Sequence, residues 1–220
     1  MKVLGIEAST RMLSLGAVEG SDTLFKYHRL VERGASSIPS YLSRLLVQHS
    51  LRVNDFDSFV IGAGPGSFTG LRISFAIIKS FAIALGKPVI PLGSFFSIAE
   101  KVKTFSSKIA VLADARRNLV YAARFTVKNG ILKKESKEKL ATLEEFFCRY
   151  KGYMCVTYDA HIRDAAQTLD KRVRFYPEDV WPDALTLVHL ANNADTKSYR
   201  TTPDMEPLYI YPKDCQVRHV

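Results

Sequence analysis

The chain of 220 residues is predicted to fold as an α/β protein with mixed sheets, divided into two lobes at 1–102 and 103–220. Three features lead there. The first thirty residues read as three short strands separated by turns, an antiparallel meander. Amphipathic helical stretches then alternate with short apolar runs, the pattern of parallel strands joined by crossover helices. Between one such run and a long apolar helix lies GAGPGSFTG at residues 62–70, a stretch whose glycines punctuate a tight turn.

Val3–Ile6 is a short apolar run suited to a buried central strand. Met12–Val18 and Thr23–Leu30 follow it, with Glu19-Gly20-Ser21-Asp22 as the turn between them. A helix over about residues 37–50 starts near the N-cap candidates Ser36 and Ser37, with Pro39 in its first turn. Ile38, Tyr41, Leu42, Leu45, Leu46 and His49 fall on one of its faces, which makes His49 a core or interface residue. Phe59–Ile61 is the next strand, then the glycine stretch, then a helix over Leu71–Leu85 closed by Gly86. That helix is apolar around most of its circumference, so part of it must meet something other than its own sheet. Pro88–Leu92 and Phe95–Val102 complete the order βββαβαβα. This is the ribonuclease-H-like topology, the unit of the actin/Hsp70-like (ASKHA) fold.

In the second lobe, Ile109–Leu112 and Leu119–Thr126 read as strands flanking Asp114-Ala115-Arg116-Arg117-Asn118. A lysine-rich turn or hairpin covers residues 128–139, followed by a helix at Leu143–Tyr150, a strand at Tyr153–Thr157, a helix at Pro182–Asn192 and an extended tail at Pro207–Tyr211.

Hydrophobic residues at 47% with 24% charged residues describe a water-soluble globular chain. The net charge of +9, from 31 basic and 22 acidic side chains, favours polyanionic partners such as RNA or acidic proteins. Cys148, Cys155 and Cys215 fit neither a disulfide framework nor a zinc ribbon and read as reduced thiols of a cytoplasmic protein. Glu7 within MKVLGIEAST excludes a signal peptide, and no uncharged apolar run reaches the ~18 residues of a membrane span.

Two stretches are candidate ligand loops. Glu7-Ala8-Ser9-Thr10 ends the first strand, where a carboxylate and two hydroxyls could place a metal and a phosphate, or could simply satisfy a turn. Gly64, Gly66, Ser67 and Gly70 open the apolar helix, whose N-terminus favours an anion; equally, the glycines could let the helix pack close to the sheet. The stretch is neither a P-loop, lacking GK[ST], nor a dinucleotide fingerprint. His28, His49, His161, His189 and His219 show no ligand spacing, so no metal site is expected. Asp114 could act on a metal or cap the turn beside Arg116 and Arg117, and the lysines of 128–139 read as a solvated hairpin.

GPGSFTGLRI, with the preceding strand and the following KPVIPLGS, resembles the TsaB (YeaZ) family. LGIEAST at 4–10, LVQHSLRVNDFDSFVIGAGPGSFTG at 46–70, DARRNLVYAARF at 114–125 and PLYIYPKD at 207–214 extend the resemblance, strongly over 1–125 and weakly over 126–200. It implies a two-lobe accessory subunit in the making of threonylcarbamoyladenosine next to the anticodon of tRNA. Such subunits bind a catalytic paralogue, TsaD, and a P-loop ATPase, TsaE, joins the assembly; tRNA is reached through the complex. The paralogue holds its metal through an HxxxH motif, and Leu30–Pro39 here contains no histidine pair. The resemblance therefore implies no catalytic residues, no cofactor beyond weak nucleotide binding or none, and inherited phosphate-loop positions at Glu7, Ser9, Thr10, Gly64, Gly66, Ser67 and Gly70. It further implies a partner interface on the helices 37–50 and 71–85, through Tyr41, Leu45, Arg72, Ile73, Phe75, Ala76, Ile77, Lys79 and Ser80, used for the paralogue or for a self-dimer. Ser74, Ser80, Phe81 and Gly34-Ala35-Ser36 depart from the family pattern in that region. Competing readings are an actin-like ATPase or kinase using Glu7 and Asp114 with magnesium, a metalloprotease-like hydrolase, which the missing histidine pair disfavours, and a ribonuclease-H-like nuclease, which lacks further carboxylates on helix 37–50.

Overall fold

A computed structural model of the chain describes residues 1–31, 37–149, 151–192 and 205–210. Ser36, the Gly34–Ser36 departure, Cys215, His219 and the tail beyond residue 210 lie outside these residues. The chain forms two units, Met1–Ser97 joined by Pro182–Leu208, and Ile98–Trp181 with Tyr209–Val220.

The first unit is built on a five-stranded sheet of order β3-β2-β1-β4-β5. Its strands are β1 (Lys2–Glu7), β2 (Met12–Glu19), β3 (Asp22–Leu30), β4 (Ser58–Gly62) and β5 (Val89–Leu92). The meander pairs antiparallel, and β4 and β5 add in parallel to β1, which gives the expected mixed sheet. Alternation along β1 sends Leu4 and Ile6 to one face, where they meet α1 (Ile38–Gln48) and α2 (Phe68–Leu85) through Leu42, Leu46, Phe75 and Ile78. Val3 points the other way. With Val18, Val60 and Ile90 it buries Leu187, Val188 and Ala191 of α6 (Ala184–Asn192).

The return of α6 to the first sheet differs from the expected division at residue 102, which left Pro182–Asn192 in the second lobe. The reason lies in β1 and β2. Gly5 and Gly16 are directly opposite each other. A Cβ on Gly5 would stand 2.6 Å from Val188 Cγ2 and 3.0 Å from the Ala184 carbonyl oxygen, and one on Gly16 would stand 3.1 Å from the Leu185 nitrogen. The pair opens a groove into which the helix backbone settles. Buried Asp183 anchors the helix start. Its Oδ1 accepts from the Thr186 amide at 2.7 Å and the Thr186 hydroxyl at 2.9 Å, its Oδ2 lies 2.5 Å from His28 Nε2, and the Ala184 amide donates to Ser14 Oγ at 2.9 Å.

α2 begins three residues earlier than its apolar run, because Ser67 Oγ accepts from the Gly70 amide and caps it. By length and composition α2 could cross a membrane. Its Leu71, Phe75, Ile78 and Ala82 are buried on the sheet of the first unit. His49, expected on the packed face of α1, is the exposed C-cap, its ring 5.5 Å from that of Phe25.

α3 (Ser94–Lys101) leads to the second unit, whose sheet has the order β11-β10-β6-β7-β8 with β9 on β7. β6 (Lys108–Asp114) and β7 (Val120–Lys128) form the expected hairpin, and Lys128–Lys139 resolves into its continuation through β8 (Ile131–Lys134) to β9 (Lys139–Ala141). β10 (Met154–Val156) and β11 (Arg174–Phe175) add in parallel. α4 (Leu143–Arg149) and α5 (Ala160–Leu169) pack Phe146 and Ile162 on Ala110, Leu112 and Ala122.

Gly5→Val fills the α6 groove from below. We expect a loss of about 1–3 kcal/mol, as for overpacked cores, read as a lower thermal midpoint by circular dichroism; a midpoint equal to wild type would reject the groove.

Candidate functional site

The two loops singled out in the sequence meet at the carboxyl end of β1. Glu7 is the last residue of that strand and is fully buried. The Ser9 amide donates to Glu7 Oε1 at 2.6 Å, and Thr10 Oγ1 accepts from the Met12 amide at 3.0 Å, closing the turn into β2. The glycine stretch closes over this turn. The Ser67 amide donates to the Ser9 carbonyl at 2.6 Å. Gly64 and Ser94 exchange two hydrogen bonds, Gly64 amide to Ser94 Oγ at 3.1 Å and Ser94 amide to Gly64 carbonyl at 2.9 Å. From the other side, the Leu208 amide donates to the Ala63 carbonyl at 2.8 Å.

The clearances explain the glycines. A Cβ on Gly66 would lie 2.0 Å from the Ser9 carbonyl oxygen, and one on Gly70 would lie 2.0 Å from that of Ala8. At Gly62 a Cβ would meet Glu7 Oε2 at 1.9 Å. Of the two readings the sequence left open, close packing therefore accounts for these positions. The backbone of the β1–β2 turn lies against the glycine stretch at Gly66 and Gly70, and the Ser67 and Gly70 amides donate to the Ser9 carbonyl and Ser67 Oγ. Burial raises the Glu7 carboxyl above its ordinary 4.5, against hydrogen bonding to Ser9 and Ser94, with the Asp183 carboxylate adding to the rise.

Asp114 accepts from the Arg116 amide at 2.8 Å and lies 3.7 Å from His161 Nε2; its own amide donates to Asp159. It sits in the second unit, where it caps the hairpin turn. Among the described residues no group of three His, Cys, Asp or Glu side chains could hold a metal ion.

The residues proposed for a partner interface divide by the phase of α2. Leu71, Ser74, Phe75, Ile78 and Ala82 face the sheet. Phe75, 4% exposed, and Leu45, 8% exposed, belong to the first unit's own core and leave the outward set. Arg72, Ala76 and Ser80 are exposed, while Ile73, Ile77 and Lys79 are half-buried at the margin. Arg72 stacks its guanidinium 5.0 Å from the Phe68 ring centroid. Tyr41 is half-buried on Tyr27, beneath Arg29 and Arg44. Two residues not singled out in the sequence extend this surface: Ile83, 72% exposed on α2, and Val47, 76% exposed on α1. The i, i+4, i+7 spacing of Ala76, Ser80 and Ile83 carried that signal for α2.

Fold and site together define a two-lobe, actin-like α/β protein whose glycine loop is closed by its own backbone. The comparisons specify the family. Residues 32–176 match the family profile described as TsaD: tRNA N6-adenosine threonylcarbamoyltransferase, and the chain belongs to that family, on the TsaB (YeaZ) side of it. It is 29% identical to the tRNA threonylcarbamoyladenosine biosynthesis protein TsaB of Bacillus subtilis over 60% of this chain and 58% of that protein. It is 28% identical to the Escherichia coli protein of the same name over 63% of this chain and 61% of that one. The matched stretch thus spans less than two thirds of either relative. A solved YeaZ from Pseudomonas aeruginosa, 20% identical, shares the fold with a TM-score of 0.79 over 95% of this chain and 100% of that one.

Because the folded chain holds the Glu7 proton more tightly than the unfolded chain, that contribution to stability is complete below the ordinary carboxyl value and is lost as pH rises through the folded one. Glu7→Gln is expected to flatten the decline of the urea midpoint as pH rises above the ordinary carboxyl value of 4.5. Parallel wild-type and variant curves would reject this.

Proposed function

We propose that this protein is a binding subunit, without catalysis of its own, of the assembly that makes threonylcarbamoyladenosine in tRNA. Its occupant on the first unit is the catalytic paralogue, a TsaD-type tRNA N6-adenosine threonylcarbamoyltransferase. A TsaE-type ATPase joins the assembly, the same face forms a self-dimer when the chain is alone, and the assembly works in the cytoplasm.

One observation carries this reading: the backbone of the β1–β2 turn packs directly on the glycine loop at Gly66 and Gly70, while α2 turns Ala76, Ala84 and Ile83 outward. Buried glycine-loop contacts suit a structural core, and exposed aliphatic side chains in a row along one helix suit a partner. The names of the relatives supply the pathway. The proposed subunit needs no cofactor, with at most weak nucleotide binding at the loop.

The decisive measurement is the affinity of the purified chain for the transferase paralogue by isothermal titration. Ile83→Asp would bury an unpaired charge on docking, so Kd should rise about 30-fold or more with an unchanged circular dichroism spectrum. Phe75→Asp should instead unfold the first unit. An Ile83→Asp affinity equal to wild type would remove the interface from this face, and ATP hydrolysis by the chain alone that is lost in Glu7→Ala would restore an enzyme.

A further inference from the structure

The second unit carries a cavity of about 240 Å³. Phe147, Tyr153 and Val173 form its walls, Cys155 lies among its lining, and Lys151, Arg172 and Arg174 add cations. Its size is below the ~300–1,000 Å³ of pockets that take drug-sized ligands, so it suits a single flat ring system. Burial pushes the Cys155 thiol up to about 12, which leaves that part of the lining uncharged at neutral pH.

Sheet register extends the cationic surface beyond the cavity. Cys155 is opposite Ala110, and Ala110 is opposite Arg124, so Tyr153, Lys108 and Arg124 share one face at one end of the sheet. Lys108 Nζ is 5.7 Å from the Tyr153 ring centroid, and Arg124 Cζ is 5.8 Å from it. Next along, Lys133 stands opposite Thr126, the residue that Lys108 faces. Two carboxylates accompany them. Asp170 is bound to Arg172 through Nε at 2.9 Å, which holds it well below the usual carboxylate range, and Glu135 accepts from the Tyr153 hydroxyl at 2.5 Å. Lys108, Lys133, Lys151 and Arg174 are exposed. From β10 to β8 this row crosses four strands, about 14 Å at ~4.8 Å per strand, with Arg174 of β11 in register with Met154 at the cavity edge.

We propose that this end of the second sheet is an RNA contact surface: the row of cations follows the phosphates of a single-stranded or loop segment, and the cavity beside Tyr153 takes one unstacked base. A nucleotide strand brings a flat apolar ring with every charge, which matches an aromatic-walled cavity set among cations. An acidic protein would bring the charge without the ring. The inference rests on the reading that the chain works on tRNA, and it adds a direct contact within that assembly.

The test is fluorescence anisotropy of the full-length chain with a labelled ten-nucleotide single-stranded RNA and with an unmodified tRNA transcript, over a series of salt concentrations. Lys108→Glu combined with Lys151→Glu should weaken binding at least tenfold and lower the log–log salt slope for the single strand by about 1.4, at ~0.7 per cation. Tyr153→Leu, with folding checked by circular dichroism, should weaken binding about tenfold and leave the slope unchanged. Lys87→Glu, in the first unit, should change neither. No RNA binding by wild type, equal binding by the double variant, or a poly-glutamate peptide bound as tightly as RNA would each overturn the surface, the last in favour of an acidic protein partner. Threonylcarbamoyladenosine content of tRNA from cells lacking the chain separates the two claims. Its persistence would remove the pathway, and its loss together with RNA binding unchanged in the variants would remove the RNA surface alone.

Discussion

The first unit depends on how closely two backbones approach. The turn after β1 and the start of α2 pass each other with carbonyl oxygens where side chains would stand, at Gly66 and Gly70. Only hydrogen fits there. That contact sets the depth at which α2 enters the sheet, and the depth determines which of its residues reach the core. The same contact draws Glu7 under Gly62 and out of water. The helix N-terminus and the carboxyl end of β1 are joined there by their own backbones.

Much of this architecture was legible in the sequence. The three-stranded meander, the helix with Pro39 in its first turn, the strand before the glycine stretch and the β6–β7 hairpin follow from period, turn residues and caps, all of them local signals. The phase of α2 was not legible. Apolar residues lie around most of that helix, so periodicity could not tell inward from outward, and Phe75 and Ile83 look alike until the sheet is in place. α5 and the two-residue β11 escaped notice, because a polar helix and so short a strand leave little pattern to read. The allegiance of α6 is set by Gly5 and Gly16, which lie about 170 residues away in sequence and announce a groove only once β1 and β2 are paired. For the glycine loop, the sequence named the residues, and the clearances at Gly66 and Gly70 show the close packing that one of their two readings expected.

The two units divide the chemistry. The first presents aliphatic side chains on a helix and buries two acids, Glu7 at the loop joint and Asp183 at the start of α6. The second concentrates lysine and arginine around aromatic rings at the end of its sheet. A net charge of +9 is therefore not spread evenly in meaning: near Tyr153 it is organised by strand register, while the first unit's outward helix face is defined by shape and apolarity.

The return of α6 has a consequence for how the molecule is made. Residues 1–97 leave the ribosome well before Asp183 does, and until then the face formed by Val3, Val18, Val60 and Ile90 has no cover. The nascent sheet must wait through synthesis of the whole second unit for the helix that seals it, at about 5–20 residues per second. During those seconds the amino-terminal unit is an incomplete fold with a valine-rich surface exposed to solvent.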